Sequence, residues 1–228
     1  MLVSTSGMVL HTTPYGETSV VARIFTRQLG VRSYLVKGVR TQRGRVKQNL
    51  LQPLSCLDMV VYDSRHGSLD YIKEMAPRHP AGQPSAVGNA LRFFMTEVLY
   101  KVLRDEEPLP SLWDYVEQQS LADAGRDTPM LFMLGLSHHL GIEPLDNFAP
   151  SAPLFDLQQG CFVGAPGETT LPQAHSALLH SYLPGNRPAG ASPAQRRDLL
   201  GAMIAYFQMH LASFGNITSH EILHTVLR

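Results

Sequence analysis

At residues 77–85 the chain reads PRHPAGQPS, and the spacing of its apolar residues changes across that segment. Before it come five short runs bounded by turn residues: SGMVLHTTPYGE, TSVVARIFTRQLG, VRSYLVKGVR, PLSCLDMVVYD and GSLDYIKEMA. In the second run Val21, Arg23, Phe25 and Arg27 alternate with Val20, Ala22, Ile24 and Thr26, which is the period of a strand. Five strands with few helical patterns among them point to a small closed or nearly closed barrel, because closure removes exposed sheet edges. After the segment, NALRFFMTEVLYKVLRDEE places Leu91, Phe94, Met95, Val98, Leu99, Val102 and Leu103 at helical spacing, and Pro108 and Pro110 stop that helix. Further helices are expected over 111–122, 129–140, 172–183, 194–214 and 218–226, with FDLQQGCFVG as a small hairpin between them. The expected fold is α+β: a five-stranded barrel over 1–79, then an all-helical domain over 80–228.

Charge divides along the same line. The chain is neutral overall, yet residues 1–80 hold eleven Lys/Arg against five Asp/Glu, and the remainder reverses the balance. No acid occurs between Thr18 and Leu57, where Arg23, Arg27 and Arg32 precede Lys37, Arg40, Arg43, Arg45 and Lys47. A half-to-half asymmetry of this kind suggests that one half faces nucleic acid. Each phosphate neutralised by such a cluster releases counterions, so binding needs no base contact and weakens with salt. The eight cations are therefore the candidate contacts, and Thr41–Lys47 is expected to be a mobile loop that orders on the polyanion. Tyr15, Tyr34, Tyr62 and Tyr71 lie in the same half. Exposed aromatics on a barrel stack bases, whereas buried ones build its core; Tyr34 is placed with the nucleic-acid set.

Other classes find little support. No apolar run is long enough to span a membrane, and the N-terminus lacks a basic region followed by an apolar one, so a cytoplasmic protein is expected. Cys56 and Cys161 are too few for a disulfide framework or a four-cysteine zinc site. HEILH at 220–224 matches the pattern in which two histidines hold zinc and the glutamate acts as general base. A zinc hydrolase built on His220, Glu221 and His224 needs a third ligand, for which His175, His180 and His210 are the candidates. His138 and His139 are consecutive and point about 100° apart on a helix, so they do not chelate together. Phosphate-binding glycine loops and nucleophile elbows are missing. The expectation is a non-enzymatic protein with no cofactor and no metal site.

Four motifs in order resemble the RecO family of bacterial DNA repair proteins: Tyr15-Gly16-Glu17, Phe25-Thr26-Arg27, Lys37-Gly38-Val39-Arg40 and Leu51-Gln52-Pro53. The resemblance is specific over about residues 1–110 and looser beyond. It implies an oligonucleotide-binding (OB) barrel and a recombination mediator near the nucleoid. Such a mediator binds single- and double-stranded DNA and anneals complementary strands. With RecR it places RecA on strands coated by single-stranded-DNA-binding protein, whose acidic tail the helical domain binds. Lys101 and Arg104 are candidates for that tail. An RNA-binding barrel is the alternative from the residues alone. Many relatives also carry four cysteines in a zinc finger; the matching region near 147–165 keeps only Cys161, so packing by Leu154, Phe155 and Phe162 is expected in its place.

Overall fold

The structure, a computed structural model, describes residues 1–41, 45–64, 69–80, 85–103, 107–186 and 190–227, with the side chains of 45–47 outside that description. Two compact units result, Met1–Ala122 and Asp123–Arg228.

The first unit is built on strands β1 (Leu2–Tyr15), β2 (Ser19–Thr26), β3 (Gly30–Val36), β4 (Cys56–Tyr62) and β5 (Asp70–Pro77). They close into the expected barrel in the order β1-β2-β3-β5-β4. Closure depends on β1, whose first half pairs with β4 (Leu2↔Tyr62 to Met8↔Cys56) and whose second half pairs with β2 (Gly7↔Thr26 to Tyr15↔Ser19). Gly7 sits where the two pairings overlap. A Cβ there would meet Met59 Cε at 2.5 Å and Ile24 Cγ2 at 2.6 Å, closer than carbon atoms approach. The interior is filled by period-two residues such as Val20, Ala22 and Ile24 of β2, and Leu57, Met59 and Val61 of β4.

Four local expectations change. β1 begins at Leu2 rather than near Ser6, because backbone pairing with β4 recruits polar residues that carry no apolar alternation. β3 ends at Val36, and Lys37–Arg40 forms a turn around Gly38, whose φ of 72° a side chain would strain. The basic stretch is not all loop: helix α1 (Arg45–Leu50) occupies its second half. Leu51–Leu54 then turns instead of opening β4, and Leu54 has a φ of 56°. Its side chain is 1% exposed and its N–H donates to Val9 O at 2.9 Å, so burial and a backbone bond hold this left-handed residue in place.

Helices α2 (Ala86–Val102) and α3 (Pro110–Leu121) share this unit. The Ser85 hydroxyl caps α2 by accepting from Gly88 N at 2.9 Å. The helix packs on β1, whose outward Met8 and Leu10 are buried. Pro110 opens α3, where its missing N–H costs nothing. Trp113 is fully buried, and its Nε1 donates to Phe25 O of β2 at 3.1 Å.

The second unit comprises α4 (Thr128–His139), the hairpin β6 (Leu154–Asp156) and β7 (Cys161–Val163), α5 (Gln173–Tyr182), α6 (Pro193–His210) and α7 (Ser219–Val226). A capping box between Ser192 and Gln195 starts α6, which packs on α4. The hairpin falls where the resemblance implies a zinc finger in many relatives, and the residues present do not fit that metal. Cys161 is the one thiol of the unit. Instead, Phe162 meets Phe148 edge-on at 5.2 Å and Phe155 at 5.1 Å, while Leu154 is half-buried. Asn147 and Phe162 exchange two hydrogen bonds, and Asp156 Oδ1 accepts from the N–H groups of Gln158 and Gln159 across the turn. No helix among the described residues is long and apolar enough to cross a membrane.

Candidate nucleic-acid interface

The predicted cations and Tyr34 separate into three groups. Arg23 and Arg27 point outward from β2, on the face that also carries Phe25, and α2 and α3 engage them. Arg23 lies over the Tyr100 ring at 5.2 Å and its Nη2 donates to Leu103 O at 3.0 Å. Arg27 holds Asp114 through two bonds, Nε to Oδ1 at 2.7 Å and Nη2 to Oδ2 at 3.0 Å. That contact keeps the Asp114 carboxyl below its ordinary range. These arginines join helix to barrel and do not form part of an open basic rim.

Tyr34 and Arg32 form the second group, on the inward face of β3. Tyr34 is 0% exposed and packs with Val36, Ile24 and Val61 in the barrel core. Burial pushes its phenol above the ordinary range, and its hydroxyl has no hydrogen-bond partner among the described residues. Placing Tyr34 with the nucleic-acid set is therefore corrected: no base reaches a ring enclosed by the barrel. Arg32, two residues earlier with the same parity, is half-buried.

The third group lies at one end of the barrel. Register carries this rim from strand to strand: Tyr15 opposite Ser19, Val20 opposite Val36, Leu35 beside Tyr71, Tyr71 opposite Tyr62, and Tyr62 opposite Leu2. Lys37 and Arg40 leave β3 here, and both are exposed. Lys37 Nζ stands 5.6 Å from the centre of the Tyr71 ring. Arg40 clasps the β1–β2 turn, its N–H donating to Thr18 O at 3.0 Å and its Nη1 to Gly16 O at 3.0 Å. The Met1 ammonium donates to Asp63 O at 2.8 Å, next to Tyr62.

A groove of about 910 Å³ opens on this rim. Among the described residues β3 and β5 pair at Tyr34↔Asp70 and Leu35↔Tyr71, because β3 ends as β5 begins, and β5 runs on through Pro77 paired with β4 alone. Leu35, Val36 and Ile72 line the groove, with Leu50 of α1, while Lys37, Tyr62, Tyr71 and Lys73 stand around it. Tyr62 and Tyr71 are 47% and 46% exposed and directly opposite one another, and Tyr15 is 54% exposed. The arrangement offers two neighbouring π-faces and at least two cations with an apolar floor, which suits unpaired bases and their phosphates. Glu74 also lines it and forms an ion pair with Lys73 at 3.3 Å, so the positive balance comes from the Lys37–Arg40 side.

Arg43 and Arg104 lie outside the described residues; the backbone of Arg45 and Lys47 falls in α1, with their side chains outside the description. Lys101 is half-buried in the last turn of α2. Tyr62, Tyr71 and Lys73 were missed as site residues, although parity within each strand separates them. In CLDMVVY the core takes Leu57, Met59 and Val61, so Tyr62 turns outward.

The HEILH segment is helical as expected, and the His220 and His224 rings meet at 5.5 Å. The three upstream candidates are occupied elsewhere or absent from the pair. His180 Nδ1 contacts Asp146 at 2.9 Å, His210 Nε2 contacts Leu157 O at 2.9 Å, and His175 faces Asp198 at 3.9 Å. Among the described residues, the group of three donor side chains able to share a metal ion lies in the other unit.

Comparison with known proteins bears on both units. The family described as "Recombination protein O N terminal" matches residues 1–81, the barrel and the segment after it. Curated relatives align over almost the whole chain. The DNA repair protein RecO of Porphyromonas gingivalis is 29% identical, and that of Christiangramia forsetii 24%, each over 99% of both chains. The Phocaeicola vulgatus protein of the same name is 28% identical over 98% of both. A closed barrel that matches the family's N-terminal model, followed by helices that align to the end with full-length relatives, makes the chain similar throughout to the DNA repair proteins named RecO.

Proposed function

We propose that this chain acts in DNA repair as a strand-annealing mediator, binding single- and double-stranded DNA along the barrel rim. The observation that carries the reading is the groove edged by Tyr62, Tyr71 and Lys37, adjoining the acid-free basic stretch. Annealing requires no bond chemistry. A basic surface that accepts two strands lowers their mutual repulsion and raises their local concentration, while exposed rings hold bases unstacked until a complement arrives. The absence of phosphate-binding motifs from the sequence supports a non-enzymatic role.

In the same reading, the chain works with RecR to place RecA on strands covered by single-stranded-DNA-binding protein. The acidic tail of that coat protein would find a match in the second unit. A cleft of about 230 Å³ there combines Met130, Leu199 and Leu223 with Arg126, Arg196 and Arg197, an apolar floor beside cations. Arg196 holds Asp127 at 2.9 Å and the more exposed Arg197 contacts Asp198 at 3.3 Å, so a carboxylate-rich peptide would meet Arg126 and compete with Asp198 for Arg197. This cleft is a better candidate than Lys101.

The test is annealing of complementary oligonucleotides covered by coat protein, with and without RecR, together with a parallel titration of DNA and RNA strands of one sequence. Accelerated annealing and a preference for DNA are expected. Equal or tighter RNA binding without annealing would refute the reading.

A further inference from the structure

Away from the rim, the start of β4, the residues just after β5, and α3 bring together three side chains from distant parts of the sequence. They are Cys56, His79 and Glu117, and their ligand atoms all lie within 4.8 Å of one another. The fold explains the meeting. β4 and β5 pair as far as Leu57↔Pro77, and Arg78 N donates to Cys56 O at 3.0 Å, so the ladder delivers His79 beside Cys56. Arg78 Nε then holds Glu117 Oε1 at 2.6 Å, which fixes the turn of α3 facing them.

We propose that Cys56, His79 and Glu117 form a binding site for one zinc-like divalent transition-metal ion. A thiolate, an imidazole and a carboxylate suit zinc and cobalt, whose protein sites use these donors in tetrahedral geometry. With metal–sulfur bonds of about 2.3 Å and metal–nitrogen and metal–oxygen bonds of about 2.0–2.2 Å, tetrahedral donors stand about 3.3–3.6 Å apart. His79 Nε2 and Glu117 Oε1 are 2.8 Å apart, so they must open by roughly half an ångström while Cys56 Sγ closes toward them. Side-chain rotation alone covers such distances. Backbone elements of three different kinds hold the Cα positions, so the site is largely preorganised.

The surroundings provide what metal ligands need around them. Arg78 binds Glu117 on one side and Asp58 on the other, at 2.8 Å through Nη1, so the carboxylate keeps an oriented partner when it ligates. Charge also balances: a divalent ion offsets one thiolate and one carboxylate, and Arg78 remains offset by Asp58. The Ser120 hydroxyl lies 3.7 Å from Cys56 Sγ, one turn along α3 from Glu117, leaving water or that hydroxyl as the fourth donor. Glu117 and His79 are 17% and 31% exposed, sheltered yet open to an entering ion. As the metal–sulfur bond forms, the Cys56 thiol gives its proton to solvent, so loading releases protons and is favoured by rising pH. Burial raises the free thiol above its ordinary range, which extends that pH dependence to higher pH. A bound ion would pin β4, the end of β5 and α3 to one another. The site does not touch the rim groove, so it stands or falls independently of DNA binding.

The test is titration of the reduced, chelator-stripped full chain with cobalt(II). One equivalent per chain is expected, with a thiolate charge-transfer band, visible bands of four-coordinate intensity and bleaching by one equivalent of zinc(II). Cys161→Ser should retain the bands, Cys56→Ser should lose them, and His79→Gln should weaken binding at least tenfold. Absence of a charge-transfer band in the unmodified chain would overturn the proposal, whatever the variants do. So would a band that survives in Cys56→Ser.

Discussion

Replacing Tyr62 or Tyr71 with alanine is expected to weaken single-stranded DNA binding without altering its salt dependence. Each base stacked on an aromatic ring contributes about 1–3 kcal/mol, so losing one ring costs about 5- to 150-fold in affinity. The effect should be equal at all salt concentrations, because no phosphate contact is removed. Replacing Arg40, Arg43, Arg45 and Lys47 together makes the opposite signature. Five contacts with single-stranded DNA, at a slope of ~0.7 each, predict roughly hundredfold weakening between about 50 and 200 mM salt. Leaving Lys37 alone reduces that to roughly threefold. Folding should survive the tyrosine changes. Truncating a fully buried aromatic costs about 3–5 kcal/mol, and these rings are 47% and 46% exposed, which roughly halves the loss. Tyr34→Phe is the matched control. It removes a buried hydroxyl with no partner among the described residues, so it should leave DNA affinity unchanged and stabilise the fold by about 1–3 kcal/mol. Fluorescence anisotropy with a labelled thymine oligonucleotide at four salt concentrations reads every binding signature, and urea denaturation reads the stability changes. A folded Tyr71→Ala chain with unchanged affinity, or one whose defect vanishes at high salt, would refute the stacking argument.

Gly7→Ala should destabilise the barrel by about 1–3 kcal/mol, since its methyl group enters space held by Met59 and Ile24; urea denaturation measures it, and an unchanged midpoint would show that these side chains yield freely. The second unit should also lose stability on acidification. Burial, and then the neighbouring charge of His220, hold the His224 imidazole below its ordinary value. The unfolded chain therefore takes up a proton near pH 6.5 that the native residue refuses. Stability falls as pH drops through that value and levels off below the depressed native one. Urea midpoints at about pH 7.5 and about pH 5.5 should differ less in His224→Gln than in the unmodified chain; equal differences would exclude His224 as a source.

The architecture was legible because burial and period agree. Five short runs bounded by turn residues became five strands, and helices expected at 111–122, 129–140 and 172–183 appear within a residue or so of those bounds. What alternation does not carry was harder to see. Leu2–Thr5 joins β1 through backbone pairing with β4, which needs no apolar pattern. The cations of β2 illustrate a different gap: charge density marks Arg23 and Arg27, but only tertiary packing reveals that Tyr100, Leu103 O and Asp114 take them up. Tyr34 was readable from parity with Ala22 and Ile24 across the ladder, and was misplaced for want of that comparison. The Cys56, His79 and Glu117 meeting has no sequence signature, because its members are brought together by strand register and a helix rather than by spacing.

The pairing of Leu2 with Tyr62, and of the Met1 ammonium with Asp63 O, has a practical side for anyone handling the protein. Any peptide fused ahead of Met1 emerges beside the tyrosine pair. A polyhistidine leader there would hang over the groove, adding charge near acidic pH and shielding the rings, and would mimic or mask binding by the chain itself. Affinity measurements should therefore use a handle at the far terminus or a fully cleaved leader.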